Sequence, residues 1–156
     1  MKRTMRAARS LVFAALTFAV VAPFAPADAQ WVFLARKALG RVQHMREGSQ
    51  DNGRPGYDFA TVIIEAPSDK VFATALDLAR HNPAARVRMQ DPGQRRLQVA
   101  EGDHTATLNV VPFSDDVLQL LVAGQGGPGE DSTSSRVVQA VLRVCKEMNK
   151  HCELGG

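Results

Sequence analysis

The chain has 156 residues, 45% of them hydrophobic and 22% charged, with a formal net charge of +3. Residues 1–29 hold four of the 19 Lys and Arg and one of the 16 Asp and Glu, which leaves fifteen of each in the remainder. That remainder is long enough for one modest core and too short for two, and its balanced charge removes the electrostatic basis for nucleic-acid binding.

The chain opens on Met1–Ser10, which carries Lys2, Arg3, Arg6 and Arg9, and continues through the almost wholly apolar Leu11–Ala25. Ala27 and Ala29, flanking Asp28, are small residues where a signal peptidase would read them. A basic stretch, an apolar stretch and a small-residue site predict a secretory signal peptide over 1–29 and an exported protein, periplasmic or extracellular. The apolar run is broken by Pro23 and Pro26 and falls short of the roughly 20 residues that span a bilayer, although an uncleaved anchor is the alternative. No Cys follows the run, so the chain is not expected to be a lipoprotein.

Residues 30–56 form a second region. In Gln30–Glu47, Trp31, Leu34 or Ala35, Ala38 and Val42 fall near helical spacing, with Arg36, Lys37 and Arg41 opposite. This basic amphipathic pattern suits either an anionic membrane surface or docking on the domain. Its second half, Leu39–Met45, is alternatively an edge strand pairing with Ala60–Ile64. Gly48–Gly56 is a polar Gly/Pro/Asn loop that would make the hairpin connection in that case.

The α+β domain is expected over 57–156. Asp58–Ala66 has apolar residues on both faces, including Phe59, Val62, Ile63 and Ile64, which predicts a central strand. Pro67 ends it. A helix follows with Ser68 as N-cap, Asp69 in its first turn, and Val71, Phe72, Ala75, Leu76 and Ala79 as its apolar stripe; Asn82-Pro83 stops it. Arg86–Gln90, Arg95–Ala100 and His104–Val111 then alternate apolar and polar residues between the turns Asp91-Pro92-Gly93 and Glu101-Gly102-Asp103. Period-two patterning with one apolar face predicts an antiparallel meander covered on one side. Val117–Ala123 is a further strand and Gly124–Ser135 a flexible loop. A final helix, capped by Thr133 or Ser134, presents Val137, Val138, Val141, Leu142, Val144, Cys145 and Met148. The architecture is β-α-β-β-β-β-α, with the possible N-terminal strand in addition: an antiparallel sheet of four to six strands with two helices packed on one face.

Two cysteines in an exported chain invite a disulfide. Seven residues apart on an unbroken helix they would be about 10 Å apart, beyond the roughly 7 Å a disulfide tolerates. Bonding of Cys145 to Cys152 therefore requires the helix to end near Met148–Lys150, with Asn149 left-handed so that Cys152 folds back. Buried thiols and an intermolecular bond are the alternatives.

No nucleophile elbow, P-loop, HExxH or CxxC motif occurs. Cys145, His151 and Cys152 offer three soft-metal ligands in a terminal segment, an incomplete site. Asp115 and Asp116 are neighbours in a turn and point apart, which suits solvation better than acid–base work. Gly124–Gly129 precedes a helix but lacks the Lys-Ser/Thr of a phosphate-binding loop. His44, His81, His104 and His151 are scattered. Arg86 and Arg88 share a strand face, and Arg96 is expected beside them, making a basic sheet face for an anionic lipid headgroup or an acidic envelope protein.

Two resemblances follow from these residues. APSDKVFATALDLARHNP, three short strands and STSSRVVQAVLRVCKEM together resemble uncharacterised small exported bacterial proteins of β-α-β-β-β-α type. Many of those are lipoproteins, and the likeness implies location and fold but no catalytic residues. The shorter stretch IIEAPSDKVFATALD is similar to the opening of helix-grip (START-like) domains, which bind hydrophobic ligands between a long final helix and a curved sheet. That likeness implies more strands than the sequence displays.

The expectation is an exported, non-catalytic binding or envelope-accessory domain with Arg86, Arg88 and Arg96 as its contact surface, no cofactor, no metal and no nucleic-acid partner. The alternatives are a carrier of an apolar small molecule between the last helix and the sheet, and an envelope hydrolase that would gather His104 with a carboxylate and a hydroxyl.

Overall fold

The computed structural model describes residues 33–47, 56–126 and 135–155. The expected signal peptide over 1–29, residues 48–55 of the first Gly-rich loop and residues 127–134 of the second lie outside the described residues. A short helix, α1, is described over 33–37. Strands β1 (Arg41–Glu47) and β2 (Gly56–Glu65) follow, then helix α2 (Ser68–His81). Four strands come next, β3 (Ala85–Asp91), β4 (Arg96–Glu101), β5 (His104–Pro112) and β6 (Val117–Gly126). Helix α3 (Arg136–Glu147) and the two-residue strand β7 (Glu153–Leu154) close the chain.

The fold is α+β. The described strands form one seven-stranded sheet in the order β3-β4-β5-β6-β2-β1-β7, antiparallel at every pairing except β7 beside β1. β2 is central, paired with β6 from Gly56↔Gly126 to Glu65↔Val117 and with β1 on its other edge. Both possibilities for 30–47 are partly realised, because helix gives way to strand at Gly40. Gly40 has φ 74, and a β-carbon there would run into the His151 carbonyl oxygen. Only glycine takes that conformation with the C-terminal segment pressed against it.

Alternation along each strand sends one set of side chains toward the helices. Val62, Ile64, Leu97, Leu108, Val110, Leu120 and Val122 belong to a single core cluster with Val71, Phe72 and Ala75 of α2 and Val137, Val138, Val141, Val144 and Cys145 of α3. Burying five apolar side chains of α3 contributes on the order of 10 kcal/mol, before the ordering entropy that opposes it. α2 starts differently from expectation. Pro67, not Ser68, stands at its cap, and no side chain caps it. Proline's fixed φ (−63°) already suits a helix entry, so a hydroxyl is not required there. Ser135, assigned from sequence to the end of the loop, caps α3 by accepting from the Val138 N–H at 3.4 Å.

α3 ends at Met148, and Asn149 takes φ 53. The Lys150 N–H donates to the Cys145 carbonyl at 2.8 Å, turning the chain back so that Cys145 and Cys152 are bonded with their α-carbons 6.1 Å apart. Past the bond, Glu153 donates to Gly40 O and Gly155 to Val42 O, both at 2.9 Å. The C-terminus thus adds the seventh strand, which has too few residues for any periodicity to announce it.

Candidate functional site

α3 packs on the same face of the sheet as α2, and its two sides meet different surroundings. Toward β1 and β2 the interface is closed: Val138, Val141 and Cys145, and Val42, Val62 and Leu120 of the sheet, are at most 1% exposed. Toward β3, β4 and β5 it stays open, leaving a cavity of about 380 Å³ between α2, α3 and the sheet. Residue size explains the difference. Ala75 and Ala79 of α2, Ala85, Ala106 and Gly124 of the sheet and Ala140 of α3 all line the hollow. At Gly124 a β-carbon would come within 3.3 Å of Val137 Cγ1, so a side chain there would crowd Val137 of α3. The remaining wall is branched and apolar, with Leu97, Val99, Leu108, Val122, Val137 and Val144.

One buried polar network interrupts this wall. Asp58 of β2 is 2% exposed and lines the cavity. Its Oδ1 lies 2.6 Å from His44 Nε2 on β1, and its Oδ2 accepts from the Ser135 hydroxyl at 2.8 Å. Strand pairing brings His44 opposite Ala60, two residues along from Asp58 on the same face. Ser135 meanwhile caps α3, so the carboxylate also sits at the positive end of that helix dipole. Exposed residues ring the opening: Glu101, His104, Arg136, Gln139 and Arg143. Arg136 Nη1 and Glu101 Oε2 are 3.6 Å apart, a loose exposed pair that holds the rim only weakly.

The residues singled out in the sequence fall elsewhere. Arg86 lies opposite Ala100 and Arg96 opposite Asp91, so these two sit at opposite ends of the β3–β4 ladder, roughly 15 Å apart along the strand. Arg88 falls where the register shifts between Val87 and Met89. All three are exposed, and the nearby Glu101 pairs with Arg136. With Cys145 and Cys152 joined, no thiolate remains beside His151 for a soft metal. Asp116 accepts from Ser114 and pairs with Arg36 at 2.9 Å, away from the cavity. The Ser114 hydroxyl, and after it the Arg36 guanidinium, hold the Asp116 carboxyl below the usual carboxylate range. His81 is exposed beside the Asp77 carbonyl. Of the four histidines, His104 reaches the cavity rim with Glu101, Asp58 and Thr105 among the lining residues, while His44 reaches the buried network.

His44, Asp58 and Ser135 were not identifiable as a group from sequence. The one available signal was Asp58 itself, an acidic residue inside a strand otherwise apolar on both faces.

No protein-family model and no curated protein matches the chain. The likeness to uncharacterised exported proteins, lipoproteins among them, therefore gains no support there. Among solved structures, CalU16 from Micromonospora echinospora overlaps 72% of this chain and 86% of its own length, at TM-score 0.48 and 11% identity. The Zhui aromatase/cyclase from Streptomyces sp. R1128 overlaps 70% and 87%, at TM-score 0.33 and 12% identity. For the di-domain ARO/CYC BexL of the BE-7585A biosynthetic pathway the figures are 60% and 42%, TM-score 0.39 and 13%, so this chain spans less than half of BexL. These neighbours have helix-grip folds, in keeping with the partial similarity seen at IIEAPSDKVFATALD. Against the expectation of a chain without catalysis, proteins described as ARO/CYC or aromatase/cyclase stand among the matches. Overlays this loose assign no reaction in its place.

Proposed function

We propose that the domain binds an apolar small molecule in the cavity between α3 and the sheet, and that it does so after export. The carrying observation is the contrast across α3: a closed core on one side, and on the other a hollow of about 380 Å³ whose wall is apolar and lined by alanines and a glycine. That volume lies at the low end of the roughly 300–1,000 Å³ typical of small-molecule sites, which fits a compact ligand. Export is supported by the composition of residues 1–29 and by the Cys145–Cys152 disulfide, a bond at home in oxidising compartments.

The test is fluorescence of an anilinonaphthalene sulfonate probe with the purified domain, together with mass spectrometry of apolar molecules that co-purify. Ala140→Leu, which fills the hollow from α3, should abolish the fluorescence gain and remove any co-purified molecule while the domain stays folded. Equal probe binding by both proteins would place the ligand elsewhere and defeat the reading.

A further inference from the structure

The buried wall of the cavity is not uniformly apolar, and its one buried carboxylate is a hydrogen-bond acceptor. We infer that Asp58 selects ligands carrying a hydrogen-bond donor, an alcohol or an ammonium head on an apolar body, and disfavours carboxylates. This rests on the cavity being the ligand site.

The argument is one of lone pairs. An ionised carboxylate offers about four acceptor positions. His44 Nε2 takes one on Oδ1 from the β1 side, and the Ser135 hydroxyl takes one on Oδ2 from the N-terminus of α3. His44 approaches from β1, which contributes no lining residue, and Ser135 from the start of α3, and Asp58 still stands among the residues that line the cavity. The residue directly opposite Asp58 in the β2–β6 register is Gly124, which brings no side chain of its own. Of the other charged and amide lining groups, Glu101, Arg136, Gln139 and Arg143 are exposed at the rim and Asn82 is half-buried. A ligand O–H or N–H that reaches Asp58 gains a charge-assisted bond in surroundings that exclude water. A ligand carboxylate brought to the same place meets a like charge instead.

The group also favours donors energetically. Hydrogen bonds to charged groups contribute about 1.5–3 kcal/mol, which corresponds to roughly tenfold or more in affinity. Matched ligands isolate that factor, because they share the apolar body and differ only at the head.

Octanol, octylamine and octanoate, titrated calorimetrically into the wild-type domain near neutral pH, separate the possibilities. Octanol and octylamine should each bind about tenfold or more tightly than octanoate. Asp58→Asn should cost both donors about tenfold and narrow the gap to octanoate. Equal affinity for all three in the wild-type protein would overturn the selectivity while leaving the cavity reading intact. No binding of any of them would remove both. The wild-type series needs no variant, so it decides the question even if Asp58→Asn folds poorly; if that variant folds and keeps the wild-type preference, Asp58 is not the selector.

Discussion

The two sides of α3 are built from the same sheet and the same helix, yet one is a core and the other a container. On the β1–β2 side, Val138, Val141 and Cys145 fill the space that Val42, Val62 and Leu120 leave. Toward β3–β5 the small residues Ala140 of α3, Ala106 of β5 and Gly124 of β6 line a cavity instead. Cores pack to crystal-like density, so a run of small residues facing one another marks a place where packing has been withheld. The closed side carries the stability that lets the open side stay hollow, and it is also where the disulfide pins the end of the helix.

This contrast can be broken from the closed side first. Leu120→Ala should cost about 4 kcal/mol, read as a lower urea midpoint at unchanged m value, whereas Leu78→Ala beside the hollow should cost less than half of that. His44→Ala leaves Asp58 buried with Ser135 as its remaining side-chain partner among the described residues; a loss of about 3 kcal/mol is expected, and most of it should return in the double variant with Asp58→Asn, which removes the charge. Cys152→Ser should cost about 2–3 kcal/mol, and a reducing agent should destabilise the wild-type domain but not the variant. Ala140→Leu should shift stability by less than about 1 kcal/mol in either direction, since it adds bulk where there is room, while removing ligand binding.

The smallest effect lies outside both sides, at Arg36 and Asp116. The Asp116 carboxyl is held below its ordinary value, first by the Ser114 hydroxyl and then by Arg36. Its folded-state value is therefore lower than its unfolded one, so its contribution is complete above the unfolded value and is lost as pH falls through the folded one. Arg36→Ala should lower the melting temperature slightly at neutral pH and not at all in strong acid; because the pair is fully in water, the shift should approach the scatter of the measurement.

Much of the fold was legible because its signals are local. The meander strands alternate as Leu97–Val99 and Ala106–Leu108–Val110, and these residues do face the helices. The α3 stripe over Val137–Cys145 is buried as its spacing requires. Other features needed pairing partners. His44 and Asp58 are 14 residues apart, and Asp58 and Ser135 are 77 apart, so no spacing rule joins them. Arg86 and Arg96 lie toward opposite ends of the β3–β4 ladder, and at Arg88 the ladder shifts by a residue, which alternation in the sequence does not display. A period of two allows no such slip without changing which neighbours meet.

The sequence by itself determined which segments of the domain are helix and strand, which face of each is apolar, and that a Cys145–Cys152 bond requires a reversal near Asn149, because each depends on neighbours a few residues away. Tertiary structure alone decided that six small residues from separate elements face one hollow and that one acidic side chain is oriented at its wall. Size and charge become a cavity and an acceptor only when long-range pairing places them opposite one another.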